Sequence, residues 1–221
     1  MFASSNGGHP TTLAEYVSRM KEDQKAIYYA CGESAARIAL LPQAEAVRDK
    51  GYEILYLTDN VDEFALKMLM QYDEKPFQNV SADDLDLRSE EEKKDAEKQA
   101  ADNKDLLNFL TEALDGKVKA VILSNRLKSH PVCLSSEGAI SLEMEKVLNA
   151  MPSGDKVQAQ RVLELNAAHP VFQKLTKLFA EDKDTLKEYA ALLYDQALLI
   201  EGIPVEDPVA FSNRICTLMA E

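Results

Sequence analysis

Residues 25–59 read KAIYYACGESAARIALLPQAEAVRDKGYEILYLTD. Residues 25–32 form a compact apolar, aromatic run of strand length, closed by Gly32. Residues 34–51 have the spacing of a helix that Pro42 breaks or kinks and Gly51 stops. Residues 52–59 are a second apolar run of strand length. Strand, crossover helix and strand in this order predict a parallel pair with helices on the sheet faces.

The junction Cys31-Gly32-Glu33-Ser34 is the kind of place where enzymes hold a nucleophile or a phosphate. A nucleophilic Cys31 needs a base, and the nearest histidine in sequence is His9. A phosphate cradle needs more glycine than Gly32 alone. The plainer reading is a strand end, a glycine turn and a helix capped by Ser34.

Outward from this core, Thr11 or Thr12 caps a helix over 13–23. A further helix is expected over 60–75, capped by Asp59 or Asn60, with 76–81 extended behind it. Residues 83–105 are mostly charged and lack Gly and Pro, and their Glu and Lys spacing favours a solvated helix over a linker. Apolar residues continue that pattern through 106–117 up to Gly116. Beyond it, 118–127, 131–136 and 160–166 read as strands. Residues 139–154 read as a helix stopped by Pro152, and 170–182, 184–202 and 207–220 as three closing helices. The expected fold class is α/β at the front and α+β overall. A small α/β/α layer domain over 1–85 precedes a mixed α+β domain over 86–221 that ends in helices.

The composition sets outer limits. The chain has 221 residues, enough for one or two cores, with 38 acids against 25 bases and a net charge of -13. Such a surface repels nucleic acid and anionic lipid, so neither is an expected partner. Three cysteines, Cys31, Cys133 and Cys216, with no CxxC spacing, signal neither a zinc site nor a disulfide framework and fit a reducing cytoplasm. Residues 1–10 lack the apolar core of a signal peptide, and no run approaches membrane-spanning length.

Dedicated chemistry is hard to find. His9, His130 and His169 each precede proline, which assigns them to loops and caps, and no two share a helix face as metal ligands would. No site for a catalytic residue, cofactor or metal is expected within the chain. Two helical stretches say more. Leu186, Tyr189, Leu193, Ala197 and Ile200 make one stripe, and Phe211, Ile215, Leu218 and Met219 another on a helix set up by Asp207 and Pro208. These helices either pack within their own domain or close a two-fold four-helix bundle with a second copy. Ile140, Met144, Val147, Leu148 and Met151 form a methionine-bearing stripe that is either core-facing or an adaptable binding face.

EYVSRMKEDQKAIYYACGES (15–34), GYEILYLTDNVDEF (51–64), KPFQNVS (75–81), VLELNAAHPVF (162–172) and LLYDQALLIEGIPVEDPVAFSNRI (192–215) together resemble the heat-shock protein 90 chaperone family in its bacterial form. The motifs follow the family's order along essentially the whole chain. The resemblance implies the α/β end of a middle domain followed by a C-terminal dimerisation domain. It places ATP, Mg and the ATPase machinery in parts of the parent protein outside these residues, so the stretch is expected to act by binding. It implies homodimerisation through the last two helices, Leu186–Ile200 and Phe211–Met219. It implies contact with partly unfolded client proteins through Ile140, Met144, Val147 and Leu148, and through the helix after Thr58-Asp59. There Phe64 stands where the family often has tryptophan. The ending TLMAE lacks the acidic tail of eukaryotic members, which implies a bacterial cytoplasmic protein. The alternatives are a small α/β enzyme using the strand ends at Cys31 and Thr58, and a monomeric adaptor.

Overall fold

The structure, a computed structural model, describes residues 1–7, 9–152 and 156–220. The chain forms two compact units, one of Met1–Leu87 with Ser136–Ala159, the other of Arg88–Ser135 with Gln160–Glu221. The segment Ser136–Ala159 returns to the first unit after the chain has entered the second.

The first unit starts with β1 (Ala3–Ser4), α1 (Leu13–Ser18), β2 (Ile27–Cys31), α2 (Ala35–Ile38), a 3-10 turn (Pro42–Ala44), α3 (Glu45–Asp49) and β3 (Ile54–Leu57). It continues with α4 (Asp62–Leu69), β4 (Gln71–Tyr72) and β5 (Lys75–Asn79). The sheet order is β1-β3-β2-β5-β4. β2 runs parallel to β3, with Tyr28 opposite Ile54 and Cys31 opposite Leu57, and parallel to β5, with Ile27 opposite Phe77. The parallel crossover is therefore present. β2 and β3 are apolar along nearly their whole length because both faces are covered. Tyr16, Ile27, Tyr29, Leu55, Leu57 and Leu66 form the core. The Tyr16 hydroxyl donates to the Glu53 carbonyl at 2.6 Å and accepts from the Gln24 amide and from Tyr28 N, which pins α1 to two strands.

Local signals hold where they are complete. Thr12, not Thr11, caps α1, in a reciprocal box with Glu15. Ser34 caps α2, its side chain accepting from Arg37 N. The expected helix over 34–51 is three short pieces, because Pro42 lacks the donor a continuous helix needs. The expected helix over 60–75 is cut at Leu69. Met70, Asp73 and Glu74 all have positive φ, and a two-residue turn folds β4 back on β5. Hairpin turns of this kind ordinarily announce themselves with Asn-Gly or Asp-Gly, and Asp73-Glu74 carries no such sign. Neither Asp59 nor Asn60 caps α4, which starts behind Val61 without a side-chain cap. The strand β1, antiparallel to β3, has no sequence signal at two residues.

The chain then runs through α5 (Glu90–Asp102), α6 (Lys104–Ala113), β6 (Ala120–Leu123) and β7 (Val132–Glu137). It visits the first unit again with α7 (Leu142–Ala150) and closes with β8 (Gln160–Leu165), α8 (Pro170–Glu181), α9 (Lys183–Ile200) and α10 (Pro208–Met219). The charged segment is the helix α5, opened by a Ser89–Glu92 capping box and burying no side chain. α7 ends at Ala150, before Pro152; Ser153 and Gly154 of the same stretch lie outside the described residues. The second unit holds a β6-β8-β7 sheet with β8 parallel to β6. Leu106, Leu107 and Leu110 of α6, Phe172, Leu175 and Leu178 of α8, and Leu186 of α9 are buried beside it. His169 and Pro170 start α8 as cap and first residue. The α+β class is observed.

Candidate functional site

In the first unit, Glu63 of α4 is buried. Its carboxylate accepts from Asn79 Nδ2 at 2.8 Å, Ser141 Oγ at 2.5 Å and, more weakly, the Tyr29 hydroxyl at 3.4 Å. Ser141 is also the cap of α7, accepting from Met144 N at 3.0 Å. One carboxylate thus ties α4 to the start of α7. The consequence is a meeting of sequence-distant residues: Phe64, Met144 and Val147 line one small cavity together with Cys31, Gly32 and Glu143. Phe64, Ile140, Met144 and Leu148 are half-buried, while Val147 is buried and faces inward. Ile140 and Leu148 lie outside that cavity's lining.

The cavity, at the strand ends of Cys31 and Thr58, is about 10 Å³, room for no more than one water. Desolvation, with the negative charge of Glu63 and Glu143 behind it, pushes the Cys31 thiol well up, away from the thiolate a nucleophile requires. Cys133 is buried and Cys216 exposed. No group of three or more His, Cys, Asp or Glu gathers among the described residues, and the turn after β2 offers one glycine ahead of a four-residue helix.

In the second unit, the stripe assigned to pairing divides. Leu186, Leu193 and Ala197 are buried within the chain itself, Leu193 at 4 % exposure. Tyr189 and Ile200 stay half-buried, and Leu199, on a neighbouring face, is open. α9 is apolar on several faces, and periodicity alone does not say which one is the core.

α10 buries no side chain at all. Phe211, Ile215 and Leu218 are half-buried, and Val209 and Met219 are 69 % and 81 % exposed. Asp207 caps it through Val209 N and Ala210 N, with Pro208 first, as expected. Arg214 holds it to α9, donating to Glu188 and to Asp195, both at 2.9 Å. Burial raises the Asp195 carboxyl while Arg214 opposes that shift. Arg214, Glu63 and Ser141 escaped sequence reading; an arginine among apolar helix residues was the one available hint.

Comparison with known proteins meets this geometry at full length. A family model described as "Hsp90 protein" matches residues 1–221. Chaperone protein HtpG of Clostridium acetobutylicum is 58 % identical over 99 % of this chain, and that of Halalkalibacterium halodurans 59 % identical over 100 %. Chaperone protein HtpG of Bacillus licheniformis is 53 % identical over 100 %. The chain spans about a third of each relative's length, 35 % in all three. With the motifs in order, the α+β architecture in place and the family model matched from end to end, the chain belongs to the Hsp90 protein family.

Proposed function

We propose that this chaperone fragment supplies homodimerisation and part of the client-contact surface of its parent, in the bacterial cytoplasm, and that it acts by binding without catalysis. The observation that carries the reading is α10, which places Val209, Phe211, Ile215, Leu218 and Met219 on a helix that buries no side chain. A helix of about a dozen residues is marginal in water without a covering surface. A second copy offers the same face, with Tyr189, Leu199 and Ile200 of α9 at its margin, and a two-fold bundle covers both at once. Pairing here joins two arms, so that the ATP- and Mg-dependent steps of the parent act on a shared client. No helix among the described residues is long and apolar enough to cross a membrane.

Sedimentation equilibrium tests the pairing. The 221-residue chain is expected to be dimeric at tens of micromolar, and Ile215→Asp to be monomeric with its far-UV circular dichroism largely kept and its melting temperature lowered by the lost association. A monomeric parent chain overturns the pairing; a dimeric Ile215→Asp variant moves it to another face. Client contact is tested with Phe64→Ser plus Met144→Ser, using reduced, carboxymethylated α-lactalbumin as a permanently unfolded probe. Losing two half-buried apolar contacts is expected to weaken binding about tenfold. Unchanged affinity in a folded variant removes this surface from the reading.

A further inference from the structure

The outer face of α4 carries apolar residues that the core does not use. Val61, Ala65 and Met68 are exposed at helical spacing, and Leu69 and Met70 continue the run past the helix end. Met68 is 85 % and Met70 72 % exposed. Single exposed apolar residues are ordinary, but a run of them on one short element is a patch. The backbone contributes too: Met70 stands at φ +61, where non-glycine residues rarely go, and such strain gathers at binding sites.

Beside Met70 opens a second cavity of about 300 Å³, lined by Tyr29, Leu66, Met70, Phe77, Asn79 and Ser141 among others. The edge of β5 borders it. β4 pairs only with Lys75 and Pro76, so on that side Gln78 and Asn79 have no strand beside them among the described strands. The Asn79 carbonyl on that side already accepts from Ala82 N, so what the region offers an extended chain is the cavity, which takes a side chain. Met68 lies one turn from Phe64 on the same helix, so the patch continues the surface around Phe64 and Met144.

The charge around it has one sign at both ends. Asp59 and Asp62 precede the run, and Asp73 and Glu74 follow it. The cations on these elements are Lys67, whose ammonium donates to the Ala139 carbonyl at 2.5 Å, and Lys75 of β5.

We infer that the outer face of α4, with the cavity beside Met70, binds extended unfolded polypeptide and selects segments in which bulky apolar residues are flanked by Lys or Arg. The inference rests on the client-contact reading above and adds to it a place and a sequence preference. Methionines supply an adaptable apolar contact, the cavity beside Met70 takes a side chain, and the acids at both ends attract the flanking cations.

The test uses the 221-residue chain and two fluorescein-labelled peptides sharing a Leu-Phe-Leu centre, one flanked by lysines, the other by glutamates, read by anisotropy at low salt. The lysine-flanked peptide is expected to bind about tenfold more tightly, a preference that fades as salt screens it. Met68→Ser with Met70→Asn is expected to weaken it about tenfold, asparagine being tolerant of the left-handed backbone. Asp59→Asn with Asp62→Asn is expected to erase much of the preference while leaving the glutamate-flanked peptide unaffected or tighter. Equal binding of the two peptides to the parent chain overturns the charge selection. If the Met68/Met70 variant binds like the parent while Phe64→Ser plus Met144→Ser does not, the inference falls and the client reading stands. If neither pair of substitutions changes peptide binding, both fall.

Discussion

Arg126→Met is expected to cost the second unit about 3–5 kcal/mol, the penalty for stranding a buried charge. Arg126 and Glu164 are each 1 % exposed and pair at 3.1 Å. Glu164 sits on β8, the middle strand of its sheet, and its side chain is buried on the sheet face. Its other oxygen accepts from Ser124 Oγ at 2.7 Å, and Ser124 Oγ in turn accepts from Arg126 N and Leu127 N. The pair therefore fixes the loop after β6 as well as the strand. Removing the guanidinium leaves the carboxylate with the Ser124 hydroxyl and a desolvation penalty that one hydroxyl does not offset. A domain with about 5–15 kcal/mol of stability does not absorb that loss comfortably, and the melting temperature should fall by roughly 10–20 °C. Adding Glu164→Leu should recover most of it, because a buried pair replaced by apolar groups is often neutral or better. Calorimetry on the single and double variants decides the point. A shift below about 3 °C for Arg126→Met would show that Glu164 reaches water after all.

Leu193→Asp is expected to unfold the second unit and not to release a folded monomer. The family resemblance implies that this residue belongs to the pairing surface, and on that reading its substitution should simply split a dimer. In the structure it is buried among its own chain's helices, with Leu186, Ala190 and Ala197 on the same face. The substitution removes roughly 2 kcal/mol of apolar burial and adds an unpaired carboxylate that costs more. The sum is comparable to the stability of the whole unit. Far-UV circular dichroism and sedimentation together separate the cases. A folded monomer from Leu193→Asp would mean that α9 turns this face outward. Loss of cooperative melting in Leu193→Asp, beside a folded monomer from Ile215→Asp, would assign the two helices their different roles.

The glutamate in Asp62-Glu63-Phe64 shows why part of the site escaped sequence reading. An acid in the first turn of a helix is expected on electrostatic grounds wherever it points. Nothing in the neighbouring residues indicates that this one is buried and accepts hydrogen bonds from Asn79 and Ser141. Phe64 and Met144 are each legible as apolar residues on helices, yet their meeting around one cavity depends on Ser136–Ala159 joining the first unit. That is a long-range contact, and local pattern carries no information about it.

The sequence by itself determined the parallel pair of β2 and β3, because continuous apolar runs on either side of a crossover helix have few other ways to bury themselves. It also determined the caps at Ser34 and Asp207 and the helix start at Pro208, where the chemistry is complete within a few residues, and the family, through motifs in order. Tertiary structure alone decided three things: that α4 stops at Leu69 for a hairpin without a turn signature, that Leu193 faces inward, and that α10 buries nothing. Periodicity says that a helix has an apolar side. Which surface covers that side is settled by contacts between residues far apart in the chain, and those depend on what remains uncovered once every other element has packed.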